Sequence, residues 1–73
     1  MPYATNISLP ASVRNHLPEH AQDIFRAAFN HAFESHEGDP RQEEIAHRIA
    51  WAAVKRHYEK AGDMWLPRSK LRQ

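Results

Sequence analysis

Cysteine is absent from this chain of 73 residues. Its absence excludes disulfides and thiolate metal ligands and makes the fold independent of redox state. Glycine occurs only twice, at Gly38 and Gly62, so there is no glycine-rich loop to cradle a phosphate. No apolar run approaches the roughly 20 residues needed to cross a bilayer. The N-terminal stretch MPYATNISLP lacks the basic region and apolar core of a signal peptide. Charge of one sign is also missing. Ten Lys/Arg and nine Asp/Glu leave a net charge of +1, which argues against a dedicated nucleic-acid binder. Together these absences lead us to expect a soluble cytoplasmic protein.

Catalytic groupings are equally scarce. A nucleophile would have to come from Thr5, Ser8, Ser12, Ser35 or Ser69, all near expected helix ends or turns. Ser35 neighbours His36, but adjacent helical residues point about 100° apart and do not make a nucleophile–base pair. A chain this short also has little room for the concave pocket that an enzyme site needs. We therefore expect no enzyme and no cofactor. Six histidines raise the question of a metal. Zinc needs three or four ligands around one point, whereas His20 and His31, on one helix edge, lie about 16 Å apart at 1.5 Å per residue. Pro18 separates His16 from His20, and the turn cluster His36, Glu37 and Asp39 offers too few oxygens for calcium. We expect no metal site.

What the chain has in abundance is helical patterning. Seventy-three residues make one domain with no second core, here over residues 1–66, followed by a basic, disordered tail at 67–73. Leu-Pro occurs at Leu9-Pro10 and Leu17-Pro18. Proline favours the first turn of a helix and pushes the preceding residue out of the α region. The spacing predicts a short helix over residues 10–15, with Asn6 and Ser8 as caps, and a second helix over 18–35. In the second, Ala21, Ile24, Phe25, Ala28 and Ala32 share one face with Phe29 beside them, while Glu19, Asp23, Arg26, Asn30 and Glu34 lie opposite. Gly38 closes this helix, and Asp39-Pro40 opens the next.

The third helix is expected over residues 40–61, with Gly62 as its stop. Ala46, Ile49, Ala50, Ala53, Val54 and Ala61 form its apolar side, and His57 projects onto that side as a half-buried, hydrogen-bonded histidine. The short turn SHEGDP makes the two long helices antiparallel, with phenylalanines of the second filling the space against alanines of the third. The first helix and Trp65–Leu66 cover the open side. The expected fold is thus an all-α bundle of three to four helices, monomeric, with Arg41, Arg48 and Lys55 as a basic stripe on the outer face. Glu44 stands along this stripe at the favoured i,i+4 distance from Arg48. Trp51 falls at the border of core and stripe, near His47 and Tyr58, a position suited either to capping the edge of the bundle or to anchoring a protein interface.

Met1-Pro2-Tyr3, Leu9-Pro10, the run Leu17-Pro18 with His20-Ala21-Gln22-Asp23-Ile24, Ala28-Phe29-Asn30, Glu43-Glu44, Ala46-His47, Ala50-Trp51-Ala52-Ala53-Val54-Lys55 and Tyr58 together resemble the ChaB family. The resemblance spans residues 1 to about 65 and implies a small, mostly helical single domain. It implies regulation of cation transport, with the cytosolic face of a sodium/calcium–proton antiporter as the partner. Some ChaB-like proteins are joined to a domain similar to the N-terminal part of the transcription terminator Rho, which implies a second reading as a nucleic-acid-associated accessory protein. The turn SHEGDP is shorter than the charged insertion that relatives can carry there. For a protein partner the expected contact residues are Trp51, Arg48, Lys55 and Tyr58, with Arg41 beside them; the nucleic-acid reading uses the basic stripe Arg41, Arg48 and Lys55 together with the tail.

Overall fold

The computed structural model describes residues 3–68. A single 3-10 turn at Asn6–Ser8 leads into helix α1 (Ala11–Arg14). Helices α2 (Glu19–Ser35) and α3 (Gln42–His57) follow. The chain then turns back as a hairpin of β1 (Tyr58–Ala61) and β2 (Met64–Pro67).

The two prolines open their helices as expected. The carbonyl of Pro10 accepts from the amides of Val13 and Arg14, and that of Pro18 from Gln22. Between them, the Gln22 side chain donates to the carbonyls of Leu17 at 2.8 Å and Arg14 at 3.3 Å. It thereby satisfies acceptors that the end of α1 leaves open. Asn6 and Ser8 do not cap α1, which has no side-chain cap. Asn6 instead donates to Asp23 at 2.6 Å and accepts from Arg26 at 2.7 Å, tying the N-terminal segment to α2. At the next junction Gly38 takes a positive φ of 88°, and the Asp39 carboxylate accepts the Arg41 amide at 2.7 Å. That bond holds a turn rather than the helix, which begins two residues later than expected, at Gln42.

Three pairs of contacts show that α2 and α3 run antiparallel. His20 meets Tyr58, Phe25 meets His47 and Trp51, and the Phe33 carbonyl meets the Gln42 side chain. Ala21, Phe25, Phe29 and Ala32 of α2 are buried against Ala46, Ala50 and Val54 of α3. Phe25 has no exposed surface at all. Small alanines on one helix leave room for phenyl rings from the other, and each fully buried ring contributes about 1.5–3 kcal/mol of transfer energy. Leu9, Val13 and Leu17 close the side that the two long helices leave open.

Two expected faces shift. Ile49 is 40 % exposed, because the buried seam of α3 is the row Ala46, Ala50 and Val54, to one side of it. Asn30, expected on the polar side of α2, is 8 % exposed. It is buried because the N-terminal segment crosses it. Its Oδ1 accepts the Tyr3 amide at 3.2 Å and its Nδ2 donates to the Tyr3 carbonyl at 2.8 Å.

The all-α expectation needs a larger correction. The fold is mostly helical, with three helices of which two are long, plus a two-stranded antiparallel sheet. Helix α3 ends at His57, and Tyr58 is already extended at φ −131°. Gly62 and Asp63 link Ala61 to its partner Met64, and Gly62 has φ 64° whereas Asp63 is not left-handed. Glycine first in a two-residue turn is the type II′ arrangement, which matches the twist of paired strands. Gly62 therefore turns a hairpin rather than stopping a helix. His57 and Ala61 consequently lie exposed rather than on an apolar face. The hairpin returns Trp65 to α3, with its ring 5.6 Å from that of Trp51. Arg68 fastens the end, donating to the Lys55 carbonyl and to Glu59, both at 2.7 Å. Pro67 belongs to β2, and the rest of the expected tail, 69–73, lies outside the described residues.

Candidate functional site

The outer face of α3 carries an open groove of about 780 Å3. Glu43, Glu44, His47, Arg48, Trp51, Ala52 and Lys55 supply one side, and Tyr3, Pro10 and Phe29 close the other. The floor is aromatic. Tyr3 tilts over Phe29 at 4.9 Å, Phe29 stacks on Phe25 at 6.1 Å, and Phe25 meets Trp51 edge-on at 5.3 Å. Contacts of this kind fix ring orientations, so Trp51 is presented on a rigid base.

Trp51 is half-buried. Its indole N–H donates to His47 Nε2 at 3.0 Å, one helical turn earlier. A histidine nitrogen that accepts carries no proton, so this hydrogen bond is made by the His47 tautomer that bears its hydrogen on Nδ1. Trp65 covers the other side of the indole. The rim is charged, and its charges are unequally engaged. Glu44 pairs with Arg41 at 2.8 Å and with Arg48 at 3.1 Å. The hydrogen bond from Arg41, then its charge, hold the Glu44 carboxyl below the usual carboxylate range, and Arg41 is raised in turn. All three side chains are exposed, so these pairs add little stability. Glu43 and the Lys55 ammonium enter no ion pair among the described residues. The Tyr3 hydroxyl is pushed above its ordinary value, first by burial and then by the nearby Glu43.

Of the five residues singled out from sequence, the structure brings Trp51, Arg48 and Lys55 together at this groove. Arg41 stands beyond its end and reaches it through Glu44. Tyr58 is 4 % exposed and sits in the core, with its hydroxyl 3.0 Å from His20 Nδ1. Tyr3, Pro10, Phe29, Glu43 and Ala52 complete the groove without having been singled out as contacts. The sequence placed His47 beside Trp51, and Arg48 with Lys55 on one stripe, but did not group Glu43 or Ala52 with them. No group of three or more metal-ligating side chains is assembled among the described residues.

A family model described as ChaB matches residues 9–68. The chain belongs to the ChaB family. A relative from Escherichia coli K12, named "Putative cation transport regulator ChaB", is 48 % identical over 69 residues, covering 86 % of this chain and 91 % of that one. A relative of the same name from Shigella flexneri matches with the same identity and coverage. The solution structure of a protein so named aligns with a TM-score of 0.81 and 46 % identity, over 90 % of this chain and 97 % of the other. These names describe regulators rather than enzymes. No helix among the described residues is long and apolar enough to cross a membrane.

Proposed function

We propose that this chain is a small cytoplasmic regulator that docks on the cytosolic face of a cation/proton antiporter through the outer face of α3. The supporting observation is Trp51, a half-buried indole on a rigid aromatic base inside a groove with a charged rim. Trp and Arg are enriched where truncation costs an interface most. In this reading Trp51 is the anchor, Lys55 contacts an acidic group on the partner, and Arg48, paired with Glu44, lines the rim. Arg41 orients Glu44, and Tyr58 fixes the start of the hairpin that holds Trp65 against Trp51. The shared name of the relatives supplies the link to cation transport.

The nucleic-acid reading draws less support. Two of the three stripe cations, Arg41 and Arg48, already share Glu44, which lowers the charge available to a phosphate backbone.

The test is cation/proton exchange in membrane vesicles that contain the antiporter, measured with and without the purified protein on the cytosolic side. The wild-type chain should change the exchange rate, and Trp51→Ala, folded by circular dichroism, should leave it near the value without protein. An exchange rate that wild type does not alter would overturn the proposal.

A further inference from the structure

We propose that the occupant of the α3 groove is an amphipathic helix with an apolar row of side chains, a cation at one end and an anion at the other. This rests on the docking reading above but not on the identity of the antiporter. All seven α3 residues that line the groove fall in two adjacent i,i+4 rows. One row is Glu43, His47, Trp51 and Lys55, and the other is Glu44, Arg48 and Ala52. The space between such rows is the furrow into which a ridge of a second helix packs. Ala52 is the one small side chain in either row, and it permits the close approach that such packing needs. Tyr3, Pro10 and Phe29 bound the furrow on the far side. An extended strand would bring alternating side chains and unpaired backbone groups, for which this face offers no edge strand.

The charges set what the helix must carry. Glu44 and Arg48 satisfy each other at 3.1 Å, which leaves Glu43 and Lys55 at the two ends without ion pairs among the described residues. Twelve residues of rise separate them, about 18 Å or three helical turns. A complementary helix of similar length places a basic residue over Glu43, leucine-like side chains over Trp51 and Ala52, and an acidic residue over Lys55. The other basic hollow of the molecule, formed by His20, Arg56, His57 and Arg68, needs no ligand to explain it. It gathers at the α3 C-terminus, where cations complement the helix dipole.

The probe is a synthetic alanine-rich peptide of about 15 residues, with leucines at i,i+4 spacing, lysine at one end and glutamate at the other. It is titrated into the isotope-labelled protein while amide and indole signals are followed by NMR. Shifts are expected at residues 43–55 and at the Trp51 indole. Ala52→Phe fills the furrow from an exposed helix position and should weaken binding about tenfold. Lys55→Glu should weaken it about fivefold, and exchanging the peptide's glutamate for lysine should recover the loss. The same peptide with a central proline cannot stay helical and should not bind.

Failure to bind at millimolar peptide, equal binding of the proline form, or wild-type binding by Ala52→Phe would each overturn the proposal. So would self-association of the protein that moves the same signals, since a second copy would then be the occupant. If the peptide binds but vesicle exchange is unaffected, the antiporter reading falls and the helix groove stands. If exchange responds but the peptide does not bind, the reverse holds.

Discussion

Replacing Asn30 with alanine removes the side chain that holds both polar groups of the Tyr3 backbone, at 3.2 Å and 2.8 Å. Each such hydrogen bond contributes about 1 kcal/mol net, so the direct loss is about 2 kcal/mol. If the segment then lets go, the Tyr3–Phe29 ring contact at 4.9 Å adds about 0.5–1.5 kcal/mol. A domain of this length has about 4–11 kcal/mol in total, so the change is a large fraction of it. The midpoint of thermal unfolding, followed by far-UV circular dichroism, should fall by about 10 °C. Hydrogen exchange at the Tyr3 amide should accelerate. Asn30→Asp keeps an acceptor for the Tyr3 amide but turns a carboxylate toward the Tyr3 carbonyl, and should be at least as damaging at neutral pH. Because Tyr3 forms one wall of the groove, both variants should also weaken docking there. A fall of less than about 2 °C with unchanged Tyr3 exchange would refute the claim that Asn30 anchors the N-terminal segment.

Phe25→Ala should cost about 3–5 kcal/mol, a larger share of the total than the Asn30 change, and should lower the thermal midpoint read by circular dichroism further than that variant does. Gly62→Ala meets no neighbour within 4 Å, so its effect comes from the backbone alone, about 1–2 kcal/mol for a left-handed residue. Urea unfolding should show this loss. Glu44 has its folded-state pKa lowered by Arg41. Its contribution is therefore present above the ordinary carboxylate range and is lost as pH falls through the lowered value. Glu44→Gln should be slightly less stable than wild type at neutral pH, with the gap closing in acid and shrinking in high salt.

The helical part of the fold was legible because its signals are local. Pro10 and Pro18 each stand one residue before an observed helix start and Gly38 three residues past the end of α2, and the row of Ala21, Phe25 and Ala32 follows the helical period. The hairpin was not legible from the same rules. Tyr-Glu-Lys-Ala has little strand character, and Gly62 fits a helix stop as well as a turn. What decides between them is a distant contact, the return of Trp65 to Trp51. Asn30 was misplaced for a related reason. Helical periodicity puts it on the polar face, and only a segment 27 residues away in sequence buries it. Part of the candidate site, Trp51 with Arg48 and Lys55, came from one helix and could be read from its angles. Tyr3, Pro10 and Phe29 arrive from two other segments, so their place in the groove depends on tertiary packing.

The most direct measurement is NMR on isotope-labelled protein titrated with the antiporter reconstituted in lipid nanodiscs. Broadening or shifts centred on residues 43–55 and the Trp51 indole, lost with Ala52→Phe and absent from empty nanodiscs, are the expected result. No change on adding the antiporter, or changes confined to the opposite side around His31 and Glu34, would contradict the claim that the outer face of α3 is the working surface.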